Sequence, residues 1–147
     1  MKRGITILVA LVIVIAGIYF TLDKTKHTTF KEALLDKINE SDVVTIEIER
    51  YSDSAKASIS DKTVVEEILN DFSSMELKKT NESKPVGAYA LRIYVNNSGN
   101  LGMEVLQDKN YVWLMNNDSS NVYKVTNNFD PLKAIEEEKL DFKPKVE

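Results

Sequence analysis

AYALRIYVNNSGNLGMEVLQDKNYVWLM, Ala88 to Met115, decides the fold. Three runs of apolar residues alternating with polar ones are separated by two turn signals, Asn97-Ser98-Gly99 and Asp108-Lys109-Asn110. That pattern predicts three antiparallel strands, Ala88 to Asn96, Leu101 to Gln107 and Tyr111 to Met115. A three-residue loop with Gly99 in the left-handed position pairs Asn96 with Asn100 and Arg92 with Glu104. The second turn, treated alike, pairs Gln107 with Tyr111 and Val105 with Trp113. One face is then expected to hold Leu91, Ile93, Val95, Met103, Val105 and Trp113. The other holds Ala90, Arg92, Tyr94, Glu104, Leu106, Val112 and Leu114, more apolar surface than a solvated face carries.

Working outward, Val44, Ile46 and Ile48 alternate with Thr45, Glu47 and Glu49, and Ser52-Asp53-Ser54 turns that strand into another, Ala55 to Ser60. Asp61 is placed to cap a helix to about Ser74, with Val65, Ile68, Leu69 and Phe72 at the i, i+3, i+4, i+7 spacing of a buried stripe. Thr29-Phe30-Lys31-Glu32 reads as a capping box opening a short helix to about Ile38. A strand at Glu76 to Thr80, a loop over residues 81–87, a strand at Val122 to Thr126 and a helix starting at Asp130-Pro131 complete the order. The expected fold class is α+β: a mostly antiparallel sheet of about five to seven strands with two or three helices, preceded by one N-terminal transmembrane helix.

That preceding segment is Gly4 to Leu22, uncharged throughout, after Lys2-Arg3 and before Asp23. As a helix it spans roughly 28 Å, close to the hydrocarbon thickness of a bilayer. The expected organisation is an anchor or uncleaved signal over 1–22, a tether over 23–28 and one extracytoplasmic domain over 29–147. Lys2, Arg3 and the free amine beside the helix place the N-terminus in the cytoplasm, since long soluble regions translocate largely regardless of charge. The alternative is cleavage after Val14-Ile15-Ala16 and secretion. The chain contains no cysteine, which removes disulfides and a lipid anchor on Cys.

Composition narrows the chemistry. Nineteen Lys and Arg stand against 23 Asp and Glu, so no nucleic-acid partner is expected. The single His27 falls in the tether, a spacer rather than a catalytic base, and with no Cys the usual zinc sites and a triad lack their parts. Glu47 and Glu49 share a strand face at about the separation of an inverting glycosidase pair, but alternating Glu on a wet face is ordinary. The loop Asn116 to Asn121 lacks the acids of a calcium loop, and Glu136-Glu137-Glu138 reads as an exposed helix face. Asn39, Asn81, Asn96 and Asn117 begin N-x-Ser sequons, relevant only in a glycosylating pathway.

No catalytic, metal or cofactor site is therefore expected. The candidate binding surface is the second sheet face, Arg92, Tyr94, Glu104, Leu106, Val112 and Leu114, unless the first or last short helix covers it. The runs Val43-Val44-Thr45-Ile46-Glu47-Ile48, Ser58-Ile59-Ser60-Asp61-Lys62 and Ile68-Leu69-Asn70-Asp71-Phe72 resemble small uncharacterised membrane-anchored envelope proteins and lipoproteins of low-GC Gram-positive bacteria. The resemblance implies an envelope location and no catalytic residues. The expected function is a non-enzymatic, membrane-anchored extracytoplasmic binding or interaction domain with a membrane-proximal protein partner. An envelope self-protection or inhibitor protein and a carboxylate-dependent cell-wall hydrolase are the alternatives.

Overall fold

The computed structural model describes residues 2–144, and for residues 2–9, Phe20, Leu22 and Asn100 the backbone alone. Helix α1, Lys2–Lys24, leads through Thr25 and Lys26 into an edge strand β1, His27–Thr29. Next come α2 (Phe30–Ala33), a 3-10 turn (Leu35–Lys37), β2 (Val44–Arg50), β3 (Ala55–Ile59), α3 (Lys62–Ser73) and β4 (Glu76–Lys79). The chain finishes with β5 (Gly87–Val95), β6 (Ser98–Leu106), β7 (Tyr111–Asn116), β8 (Ser119–Val125) and α4 (Pro131–Glu137). The α+β class holds, with one eight-stranded sheet in the order β1-β4-β8-β7-β6-β5-β2-β3 and every pairing antiparallel.

The helix starts follow the sequence signals. Thr29 Oγ1 accepts from the Glu32 amide at 3.1 Å and Glu32 Oε2 accepts from the Thr29 amide at 3.1 Å, a complete capping box. Asp61 Oδ1 accepts from the amides of Thr63 and Val64, which satisfies two orphan donors of α3. Val65, Ile68 and Phe72 are buried, and Phe72 sits between Phe30 and Phe129 with ring centroids 5.6 and 5.5 Å away. With Leu34, Leu77, Ile135 and the inward residues of the sheet they form one core cluster. All three short helices therefore lie over the same face of the sheet, and the second face is not covered by the first or last of them.

The proposed tether is shorter than expected. Asp23 and Lys24 belong to α1, and His27 and Thr28 pair with Lys78 and Leu77, leaving Thr25 and Lys26 as the link. Asp23 Oδ1 lies 2.7 Å from Lys78 Nζ, so the end of α1 is tied to the sheet edge. His27, expected as a spacer, is an exposed edge-strand residue with Nε2 3.7 Å from Asp23. Among the described residues no helix is long and apolar enough to cross a membrane. The expected span Gly4 to Leu22 extends over the side chains of residues 4–9, Phe20 and Leu22, which lie outside them.

Two registers in the meander correct the sequence reading. The β5–β6 turn is the pair Asn96-Asn97, with φ of 51° and 68°, closed by Val95 opposite Ser98. Two left-handed residues in a two-residue loop match the twist of the strands, and Asn tolerates that backbone. Asn96 is held further, its Oδ1 accepting from the Val43 amide at 3.0 Å and its Nδ2 donating to Asp42 at 2.8 Å. Arg92 consequently faces Gly102 and Glu104 faces Ala90. This slide by two residues preserves the faces.

The β6–β7 register moves by one, and one residue inverts every side chain. Val112 pairs with Val105 and Trp113 with Glu104, so Val112 and Leu114 enter the core while Trp113 turns to the second face. The expected pairing required Gln107 opposite Tyr111. Instead the Gln107 amide donates to Val86 O at 2.9 Å, and a four-residue turn follows. The slip buries two aliphatic side chains and leaves the amphipathic indole beside polar neighbours.

Candidate ligand-binding face

Alternation along the strands sends Glu47 and Glu49 of β2, Lys56 of β3, Arg92 of β5, Glu104 of β6 and Trp113 of β7 to the face without helices. At its β2–β3 side the charges form a ladder. Lys56 Nζ lies 3.0 Å from Glu47 and 3.8 Å from Glu49, and the Arg92 guanidinium lies 3.6 and 3.8 Å from the same two residues. The hydrogen bond that the Lys56 ammonium donates to Glu47 raises it above the usual lysine range. Each carboxylate is thus bracketed by two cations, so the pair is a charge ladder rather than two acids facing a common cleft.

The centre of the face is different in kind. Glu104 is only 7% exposed, and its Oε2 receives no aligned hydrogen bond. The Lys84 ammonium, 2.5 Å away, answers its charge as an ion pair. The same ammonium lies 3.8 Å from the centroid of the Trp113 ring, a cation–π position. Tyr51 completes the group: burial first, then the charge of Glu104, pushes its phenol up to about 12. A β-carbon on Gly87 would meet the Tyr51 ring and come 3.1 Å from Glu104 Oε2, so glycine there leaves the hollow these two side chains fill.

Of the six residues expected on this face, the structure brings four to it and removes two. Arg92 joins the ladder, Tyr94 lies with its ring over Gly99, and Glu104 is the buried carboxylate. Leu106 is fully buried opposite Gly87, outside the helix-covered cluster. Val112 and Leu114 belong to that cluster on the other side. Lys84, Tyr51 and Trp113 were missed. The signal for Trp113 was its neighbours, two aliphatics with a better claim on the core; the pairing of Lys84 with Glu104 left no local pattern.

Elsewhere the sequence candidates resolve into structural roles. The loop after β7 is a tight turn in which Asn116 Oδ1 accepts from the amides of Asp118 and Ser119, both at 3.0 Å. Glu136 and Glu137 are exposed while Glu138 is half-buried just beyond α4; burial, with Glu67 and Asp71 nearby, raises its carboxyl. Among the described residues no cluster of potential metal ligands is present. A cavity of about 510 Å³ lies between the 3-10 turn and α3, with Leu35, Ile38, Val44 and Leu69 among its walls. No protein-family model matches the chain, and comparison with curated proteins and with solved structures finds no match.

Proposed function

We propose that the chain is a non-enzymatic binding domain, anchored in the cell membrane by its first helix and held outside the cytoplasm, with the open sheet face as its working surface. The observation that carries this reading is the bare apolar surface of α1. Leu11, Val12, Ile13, Val14 and Ile15 are consecutive, so they point all round the helix, and each is 57 to 65% exposed. A helix apolar on every side is at rest only inside a protein core or a bilayer, and the domain's own core is closed by other elements. The two-residue link and the Asp23–Lys78 ion pair would hold the β1 edge of the sheet at the membrane surface, where Lys26 and Lys79 also lie and where lysine ends favour the headgroup region.

This places the partner among membrane or membrane-proximal molecules, as the likeness to anchored envelope proteins also suggests. Tethering raises the local concentration of such a partner, so modest affinity suffices. The bracketing of Glu47 and Glu49 gives the hydrolase alternative no support. The test is fractionation of cells producing the full chain. The reading expects the protein to stay with membranes through alkaline carbonate extraction and to be digested by protease added to intact cells. Release by carbonate, appearance in the medium, or protection from protease until lysis would overturn it.

A further inference from the structure

Lys84 occupies a place built for an ammonium group. The strap that carries it, residues 80–86, is fixed to the sheet at its two ends, where the Thr80 amide donates to Val122 O at 3.0 Å and Val86 O accepts from Gln107 at 2.9 Å. Between those ends the Glu82 amide donates only to the neighbouring Thr80 hydroxyl, at 3.1 Å. Side chains therefore seat the middle of the strap: Glu82 meets the Tyr111 phenol, and Lys84 meets Trp113 and Glu104. The receiving surface is more specialised than a neutralising contact needs. An indole face and a carboxylate buried to 7% exposure hold the ammonium from two sides, and the Tyr51 ring over Gly87 backs the carboxylate.

We infer that Trp113 and Glu104, with Tyr51 behind the carboxylate, form a binding site for an aliphatic primary ammonium group, such as a lysine side chain. Lys84 fills this site from within the chain, and a ligand that displaces it frees the strap. A primary ammonium suits the site because it stacks on the indole and donates to the carboxylate at once, whereas a quaternary one can only stack. The inference rests on the reading of this face as a working surface and names the ligand chemistry it accepts. Its test uses purified full-length protein in detergent micelles, so failure here and failure of the membrane location are separate results.

Trp113 is the only tryptophan of the chain, so its fluorescence reports the site directly. n-Butylammonium chloride is titrated against sodium chloride at matched ionic strength. In the wild type the tethered Lys84 competes at an effective concentration of about millimolar or above. Lys84→Met removes that competitor while keeping the length of the stem, and is expected to show a saturable butylammonium-dependent change at roughly tenfold lower concentration than the wild type. Adding Glu104→Gln should abolish it, and tetramethylammonium should bind Lys84→Met more weakly than butylammonium. A flat titration of folded Lys84→Met, or an equal response in the double variant, overturns the inference. If Lys84→Met does not fold alone, butylammonium should restore its cooperative melting and leave the double variant unchanged; absence of that rescue overturns the inference equally.

Discussion

The two faces of one sheet are built to different rules from alternate residues of the same strands. On the covered face Ile46, Ile48, Leu91, Ile93, Met103 and Val112 pack beneath α2, α3 and α4, and dispersion and water exclusion act over a continuous apolar layer. On the open face Glu47, Glu49, Lys56 and Arg92 answer one another's charges in solvent, and one carboxylate, Glu104, is sunk beneath a lysine from a loop. The covered face supplies stability, where each lost methylene is felt. The charge ladder of the open face contributes little stability per contact, and on the proposed reading the contacts of this face are open to exchange with those of an external ligand.

The comparison breaks first on the covered face. Phe72→Ala removes a ring packed between Phe30 and Phe129 and is expected to cost about 3–5 kcal/mol, read from the denaturant midpoint at unchanged slope. Next is the centre of the open face. Lys84→Met strands the Glu104 carboxylate and is expected to cost about 1–3 kcal/mol, with much of it regained in Lys84→Met/Glu104→Gln by the same measurement, because the neutral amide no longer needs a cation.

A smaller effect is confined to alkaline pH. The Tyr51 phenol titrates at about 12 in the folded chain against an ordinary 10.0, so between those values the unfolded chain loses its proton first and stability falls as pH rises. Tyr51→Phe should lessen that fall and reduce the late-appearing phenolate absorbance by one tyrosine's share, the rest coming from Tyr89, Tyr111 and Tyr123, which are also raised. The least change is expected at the ladder, where Glu47→Gln should move stability by no more than about 0.5 kcal/mol in urea, since its cations keep Glu49 and water. A loss as large as that of Phe72→Ala would erase the distinction between the faces.

Element order was legible because its signals are local. The Thr29–Glu32 box, the Asp61 cap and the Val65-Ile68-Phe72 stripe each lie within a few residues, and each forms as expected. Register was less legible because it depends on counting loop residues, and the side-chain period of two turns a miscount of one into an inverted face. The β5–β6 error of two left Arg92, Tyr94 and Glu104 where they were expected. The β6–β7 error of one exchanged Val112 and Leu114 for Trp113, since the Gln107 amide bonds to Val86, distant in sequence. Strand β1, only three residues long, has no room to display alternation, which is why His27 and Thr28 read as tether. The Lys84 contact with Glu104 and Trp113 required the register and the strap together.

The central claim is that the sheet has one sealed face and one open face, within a domain that we propose lies outside the cytoplasm. Adjacent positions on β3 test it most directly. Ser58 is exposed and pairs with Glu47 on the open side, while Ala57 is 3% exposed within the core cluster. Because the chain has no cysteine, Ser58→Cys and Ala57→Cys each supply a single thiol for a membrane-impermeant maleimide. The account predicts that on intact cells Ser58→Cys is labelled promptly and Ala57→Cys only after denaturation. Equal labelling of the two would contradict the face assignment, and labelling of Ser58→Cys only after lysis would contradict the location.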